Sequence, residues 1–161
     1  MNYSSDQLRR RNESLWTPVQ AVTAPVQFLT FIVSLILVIQ YFATGQGYMA
    51  AHIASSIKVV MMVFITITGM AWEFDVYGKY FLAKEFFWED MINAVSLVLH
   101  LAFIAAWLFG ASERLQMTVM LVALISYVVN FIQFGRRGLM AAKQRKAARV
   151  LDNTVLKHGD S

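Results

Sequence analysis

The chain has 161 residues, 58% hydrophobic and 15% charged, with a net charge of +4 and no cysteine. A soluble domain would be roughly 45–50% apolar and about 25% charged, so the composition points to a bilayer. The absent thiols exclude disulfides and thiolate metal sites. The basic residues sit in tails and loops around apolar segments, which favours anionic lipid headgroups over nucleic acid.

Residues 1–15 read as a polar tail. The apolar run after them is longer than a signal-peptide core and lacks a small-residue cleavage site, so it reads as a retained anchor. Four segments reach the ~20 residues needed to cross a hydrocarbon core. They cover 18–41, 48–70, 90–109 and 116–134. The expected fold is all-α: a polytopic four-transmembrane-helix bundle over 16–135, then a basic tail over 136–161. Thr17, Pro18 and Gln20 predict a T-x-x-Q capping box at the first helix start. Pro25 predicts a kink. The stretches 44–47 and 110–112 predict tight turns, and no internal repeat appears.

Basic residues set the orientation. Arg9, Arg10 and Arg11, then Lys79 and Lys84, then Arg136, Arg137 and the rest of the tail lie on one side, against Arg114 on the other. Both termini and the middle loop are therefore expected to be cytoplasmic. The tail over 136–156 could lie as a helix on the inner leaflet.

The stretch 72–93 is unusual: Glu73, Asp75, Glu85, Glu89 and Asp90 lie among eight aromatics. Glu89, Asn93, Ser96 and His100 follow i, i+4, i+7, i+11 along one helical stripe. Ser126, Asn130 and Gln133 keep similar spacing, as do Gln20, Thr23, Gln27, Thr30 and Ser34. At about 1.5 Å per residue, these polar groups mostly share the cytoplasmic half of the bundle. Intramembrane polar residues usually face the bundle interior or a wet cavity. A polar pocket opening toward the cytoplasm follows.

Plainer readings stand beside this one. Hydroxyls and amides often only join helices, each worth ~0.6 kcal/mol. Trp72, Tyr77, Tyr80 and Trp88 read first as an interfacial belt. Lys58 could snorkel outward, and His52 reads as interfacial. Glu73, Glu89 and Asp90 could simply mark helix ends; in a dry pocket one of them could instead stay protonated and act as a general acid. His100, near mid-membrane, could bond across helices, bind a metal or ligate the metal of a tetrapyrrole. Bis-histidine haem binding is disfavoured, because His52 is shallower and His158 lies in the tail. No nucleotide loop, zinc spacing or serine-hydrolase motif is present.

WTPVQ at 16–20, APVQF at 24–28, ATGQGY at 43–48, TGMAWE at 68–73, YGKYFLAKEFFWED at 77–90 and YVVNFIQF at 127–134 resemble the vinyl bacteriochlorophyllide hydratases. The likeness covers all four spans. It implies a hydro-lyase of bacteriochlorophyll synthesis in photosynthesis. Such an enzyme adds water across the ring-A (C-3) vinyl group of a chlorophyllide or bacteriochlorophyllide, giving a 1-hydroxyethyl pigment. It also implies a multi-pass protein of a bacterial inner membrane, cytoplasmic or intracytoplasmic. The implied partners are the pigment, membrane lipids, and a second copy or neighbouring pathway enzymes. No redox cofactor is implied, and the magnesium belongs to the substrate.

That chemistry needs a proton donor and a group that aims the water. On this reading Glu89 is the acid, and Asp90 or Glu73 orients the water and takes its proton. Asn93, Asn130, Gln133 and Gln27 hold peripheral carbonyls or that water, and His100 is the axial magnesium ligand. Two other readings use the same residues. A non-catalytic tetrapyrrole-binding or assembly protein would need the stripes and His100 but no acid. A proton-coupled transporter subunit would use Glu89, Asp90 and Lys58 as a relay.

Overall fold

The computed structural model describes residues 4–136 apart from 83, 85 and 134. The tail beyond 136, including its expected surface helix, and Glu85 lie outside the described residues. Five helices follow in order: α1 (Ser5–Glu13), α2 (Trp16–Thr44), α3 (Tyr48–Tyr77), α4 (Phe87–Leu108) and α5 (Glu113–Gln133).

The short α1 begins inside the polar tail, on a signal the sequence reading passed over. Ser4 and Gln7 form a reciprocal capping box: the Gln7 N–H donates to Ser4 Oγ, and the Ser4 N–H to Gln7 Oε1. Arg9 and Arg10 both donate to Asp6, one turn back.

The expected capping box at Thr17 and Gln20 does not form. The helix already begins at Trp16, with no side-chain bond at its N-cap, Leu15. Ser14 substitutes, its Oγ accepting the Trp16 N–H at 3.2 Å. Thr17 and Gln20 are thereby released for contacts with α3.

Four of the helices, α2 to α5, are long and apolar enough to cross a membrane. Their outward faces confirm the solvent they meet. Val22, Val26, Leu29, Val33 and Ile36 form an exposed stripe on α2, and Ile53, Ile57, Val60, Phe64 and Ile67 form one on α3. Apolar patches this continuous do not persist on water-facing surfaces. This is a membrane protein. The helical run of α2 continues on both sides of Pro25. With 29 and 30 residues, α2 and α3 would extend over 40 Å, beyond the ~30 Å core. The extra turns of α3 carry Trp72 to Tyr77 onward from the apolar span, until Gly78, at φ 72°, ends the helix with its N–H on the Phe74 carbonyl.

The bundle runs up and down, so the start of α2, the end of α3, the start of α4 and the end of α5 meet at one end. Hydrogen bonds fasten them. Ser14 Oγ donates to Asp75 at 2.6 Å, Trp72 Nε1 to Thr17 Oγ1 at 3.0 Å, and Gln20 Nε2 to Thr68 Oγ1 at 2.6 Å. The apolar core lies toward the other end, where Val38, Ala51, Phe103, Met117 and Met120 are fully enclosed.

Candidate functional site

The end where those four helix termini meet encloses a cavity of about 360 Å³. This is near the lower end of the ~300–1,000 Å³ seen for small-molecule sites. Gln20, Ala24 and Gln27 of α2 form one wall, and Met62, Thr66, Gly69 and Glu73 of α3 the next. Asp90 and Asn93 of α4 and Tyr127, Asn130 and Phe131 of α5 complete the ring. Trp72, Phe81 and Phe86 cover it, with Trp72, Tyr77 and Phe86 packed edge to face.

Two carboxyl groups reach this space. Glu73 and Asp90 are only 7% and 6% exposed. Asp90 is positioned by the loop before α4, where its Oδ2 accepts the Leu82 N–H at 2.8 Å. Leu82 adopts φ 56°, the left-handed region that non-glycine residues rarely visit. The loop thus turns sharply at Leu82, next to Phe81 on the cavity wall.

An ordered line of amides crosses the floor. Thr66 Oγ1 donates to the Met62 carbonyl at 2.8 Å, Asn93 Nδ2 to Thr66 Oγ1 at 3.2 Å, and Asn130 Nδ2 to Asn93 Oδ1 at 3.0 Å. The backbone carbonyl can only accept, so every donor in the line points the same way. The line ends at Asn130 Oδ1, which is buried and has no partner. Gln27 behaves alike: its Nε2 points at Met62 Sδ, 3.2 Å away, and its Oε1 is buried without a partner.

Five of the expected residues therefore meet on one cavity: Glu73, Asp90, Asn93, Asn130 and Gln27. Three do not. Glu89, the expected acid, is half-buried but off the cavity wall, because one residue along a helix turns the side chain about 100° away from Asp90. Gln133 is also off the wall, with a buried Oε1 lacking a partner. His100 is fully buried. Its Nδ1 lies 2.7 Å from the Ser96 carbonyl, so Nδ1 carries the hydrogen and Nε2 is a bare acceptor. That tautomer suits a metal ligand, but His100 is not among the residues lining the cavity. Among the described residues, no cluster of three or more His, Asp or Glu could hold a metal ion.

Other expectations also shift. Lys58 does not snorkel. It is wholly enclosed, with Nζ 3.6 Å from the centroid of the Tyr127 ring in a cation–π contact. Trp72 lines the cavity, whereas Trp88 and Tyr80 are exposed. His52 packs among the Tyr48, Phe103 and Trp107 rings. Gly69 and Ala24 bring small residues to the cavity wall. A Cβ at Gly69 would meet only Gln20 Nε2, at 3.9 Å.

The family described as 2-vinyl bacteriochlorophyllide hydratase matches residues 3–140 of this chain. A 2-vinyl bacteriochlorophyllide hydratase of Rhodobacter capsulatus is 42% identical over 132 residues, covering 82% of this chain and 77% of the relative. One of the same name from Cereibacter sphaeroides is 42% identical over 146 residues, covering 91% of each. No solved structure matches. The matched region contains the four spanning helices, the carboxylates and the amide line, and this chain belongs to the 2-vinyl bacteriochlorophyllide hydratase family.

Proposed function

We propose that this chain adds water across the ring-A (C-3) vinyl group of a chlorophyllide or bacteriochlorophyllide, giving the 1-hydroxyethyl pigment of bacteriochlorophyll biosynthesis. The reaction takes place in the cavity between α2, α3, α4 and α5. One observation carries the site assignment: two buried carboxyl groups, Glu73 and Asp90, share an apolar, aromatic-covered space with a line of amides. The macrocycle edge bearing the vinyl group enters against Trp72, Phe81 and Phe86.

Hydration places a proton on the terminal vinyl carbon and a hydroxyl on the inner one. The intermediate is a cation conjugated with the macrocycle, which nearby negative charge stabilises. Asp90 accepts the Leu82 N–H and lies in the first turn of α4, where a carboxylate is well placed. It stabilises the cation and takes the proton lost by water. Glu73, across the cavity on α3, donates the proton to carbon. Glu89, off the wall, has no direct part. The reaction transfers no electrons, so no redox cofactor is required, and the magnesium belongs to the pigment.

The distribution of Arg and Lys supports a cytoplasmic location for both termini and the cavity end, in a bacterial inner membrane. A pigment made in the cytoplasm would then reach the site from that side.

The test uses membranes from a host that lacks the pathway and expresses this chain. A 3-vinyl chlorophyllide is supplied in oxygen-labelled water, and the expected product is heavier by one labelled water. Pigment bound by folded protein without such product would refute hydration and favour a carrier.

A further inference from the structure

The orphaned oxygens on the cavity wall point to where the second substrate sits. Gln27 is 1% and Asn130 3% exposed, and each amide points its NH2 at a protein acceptor. Gln27 donates to Met62 Sδ. Asn130 donates to Asn93 Oδ1, whose own direction is fixed through Thr66 to a backbone carbonyl. Turning the Asn130 amide over would set two oxygens against each other. Turning the Gln27 amide over would likewise set its oxygen against the Met62 sulfur, so both carbonyl oxygens are held as acceptors without donors. Buried unpartnered acceptors are uncommon and call for an explanation.

Their polarity discriminates between ligands. The ring-A edge carries only alkyl and vinyl groups, the pigment's carbonyls and ionised propionate only accept, and its ring nitrogens are bound to magnesium, so the vinyl substrate offers these oxygens no donor. Water offers two. We propose that Gln27 and Asn130, on the facing helices α2 and α5, bind the reacting water and aim it. This rests on the hydration reading above. A water that donates both hydrogens to the two amides presents its lone pairs away from them.

The step balances. The Glu73 proton bonds to the terminal vinyl carbon as the π bond breaks, leaving a cation on the inner carbon. A water lone pair forms the C–O bond. Once the C–O bond has formed, one hydrogen of the resulting oxonium turns from its amide to Asp90 and is given up as a proton, and proton exchange with solvent restores both carboxyl groups. The amides take no proton. They hold the nucleophile so that the cation is captured rather than reverting to vinyl.

Reversion is measurable. In D2O, a cation that loses a proton instead of meeting water returns vinyl pigment deuterated at its terminal carbon. Wild-type protein, Gln27→Met, Asn130→Leu and Gln27→Glu are compared for hydration, vinyl deuteration and pigment KM. Gln27→Met and Asn130→Leu keep side-chain size and remove the acceptor. Each should raise the ratio of deuteration to hydration about tenfold, the effect of losing one hydrogen bond, with KM unchanged. Gln27→Glu keeps an acceptor oxygen and should show a ratio below that of Gln27→Met, and thermal unfolding in detergent checks that each variant folds. An unchanged ratio in both acceptor-free variants, whether hydration and deuteration fall together or persist, overturns the assignment. Wild-type protein that binds pigment but neither hydrates nor deuterates it would instead overturn the hydration reading itself.

Discussion

At the end of the bundle closed by the Gly45 and Gly110 turns, Tyr48 donates to Gln116 Oε1 at 2.6 Å, and Gln116 Nε2 donates to the Ala111 carbonyl at 2.7 Å. Ser34 and Ser55 bond to each other nearer the middle. At the opposite end the amide line stops at Asn130, and Gln27 lines the same cavity, each with a buried acceptor oxygen that no protein donor reaches. Both ends use polar side chains that composition alone cannot distinguish. The first set completes itself and joins helices. The second leaves two buried acceptors over, which the proposed water would fill. Unsatisfied acceptors on a cavity wall, more than polarity, set this end apart from the other.

The sharpest way to break that contrast is at Asp90. Asp90→Asn keeps an oxygen for the Leu82 N–H and removes the base. Turnover should fall about 10²–10⁴-fold while pigment binding persists. Undiminished turnover would remove Asp90 from the mechanism.

Phe103 tests the other end. It is fully enclosed in the apolar core formed with α2, α3 and α5, and it packs on the His52 ring. Phe103→Ala should cost about 3 kcal/mol, the low end of the range for soluble cores, because lipid offers apolar side chains a good alternative. Thermal unfolding in detergent should show the loss, with turnover per folded molecule near wild type. A folded but inactive variant would show that the two ends are coupled.

Much of the site was legible because helix period is set by the backbone. Spacings of four and seven brought Asn93 and Asn130 to one level, and the same depth argument brought Gln27, Glu73 and Asp90 there. Choosing between Glu89 and Asp90 was not possible in that way. Adjacent residues differ by one helical step, and only the packing of α4 decides which one faces inward. The cover escaped for a similar reason. Trp72 and Phe86 meet through a loop that turns at Leu82, against the ordinary preference of leucine. Burial of Lys58 depends on the Tyr127 ring arriving from α5, a contact between residues far apart in the chain. Local patterns located the polar level; long-range packing selected its members.

A smaller effect is expected at Tyr48. Tyr48→Phe removes the bond to Gln116 without changing shape, and interhelical bonds in membranes average ~0.6 kcal/mol, with a maximum near ~1.7. Stability should fall by that amount and the deuteration-to-hydration ratio should stay at its wild-type value. A shifted ratio would mean that the closed end also sets water geometry, and the division between the two ends would blur.

The smallest effect belongs to Asp6 on α1, outside the spanning helices. The Arg9 hydrogen bond, followed by the Arg10 charge, holds its carboxyl below the ordinary value of 3.8. A carboxyl lowered in the folded state supports α1 fully above that ordinary value, and the support is lost as pH falls through the lower, folded one. Amide exchange in α1 should therefore accelerate, relative to the intrinsic rate, only as pH drops below about 4, and Asp6→Asn should abolish that pH dependence. Asp6 is fully exposed, so added salt should screen much of the effect. Turnover at neutral pH should not respond. If it did, α1 would have to act on the cavity through the Ser14–Asp75 bond at its end, and the site would extend beyond the spanning helices.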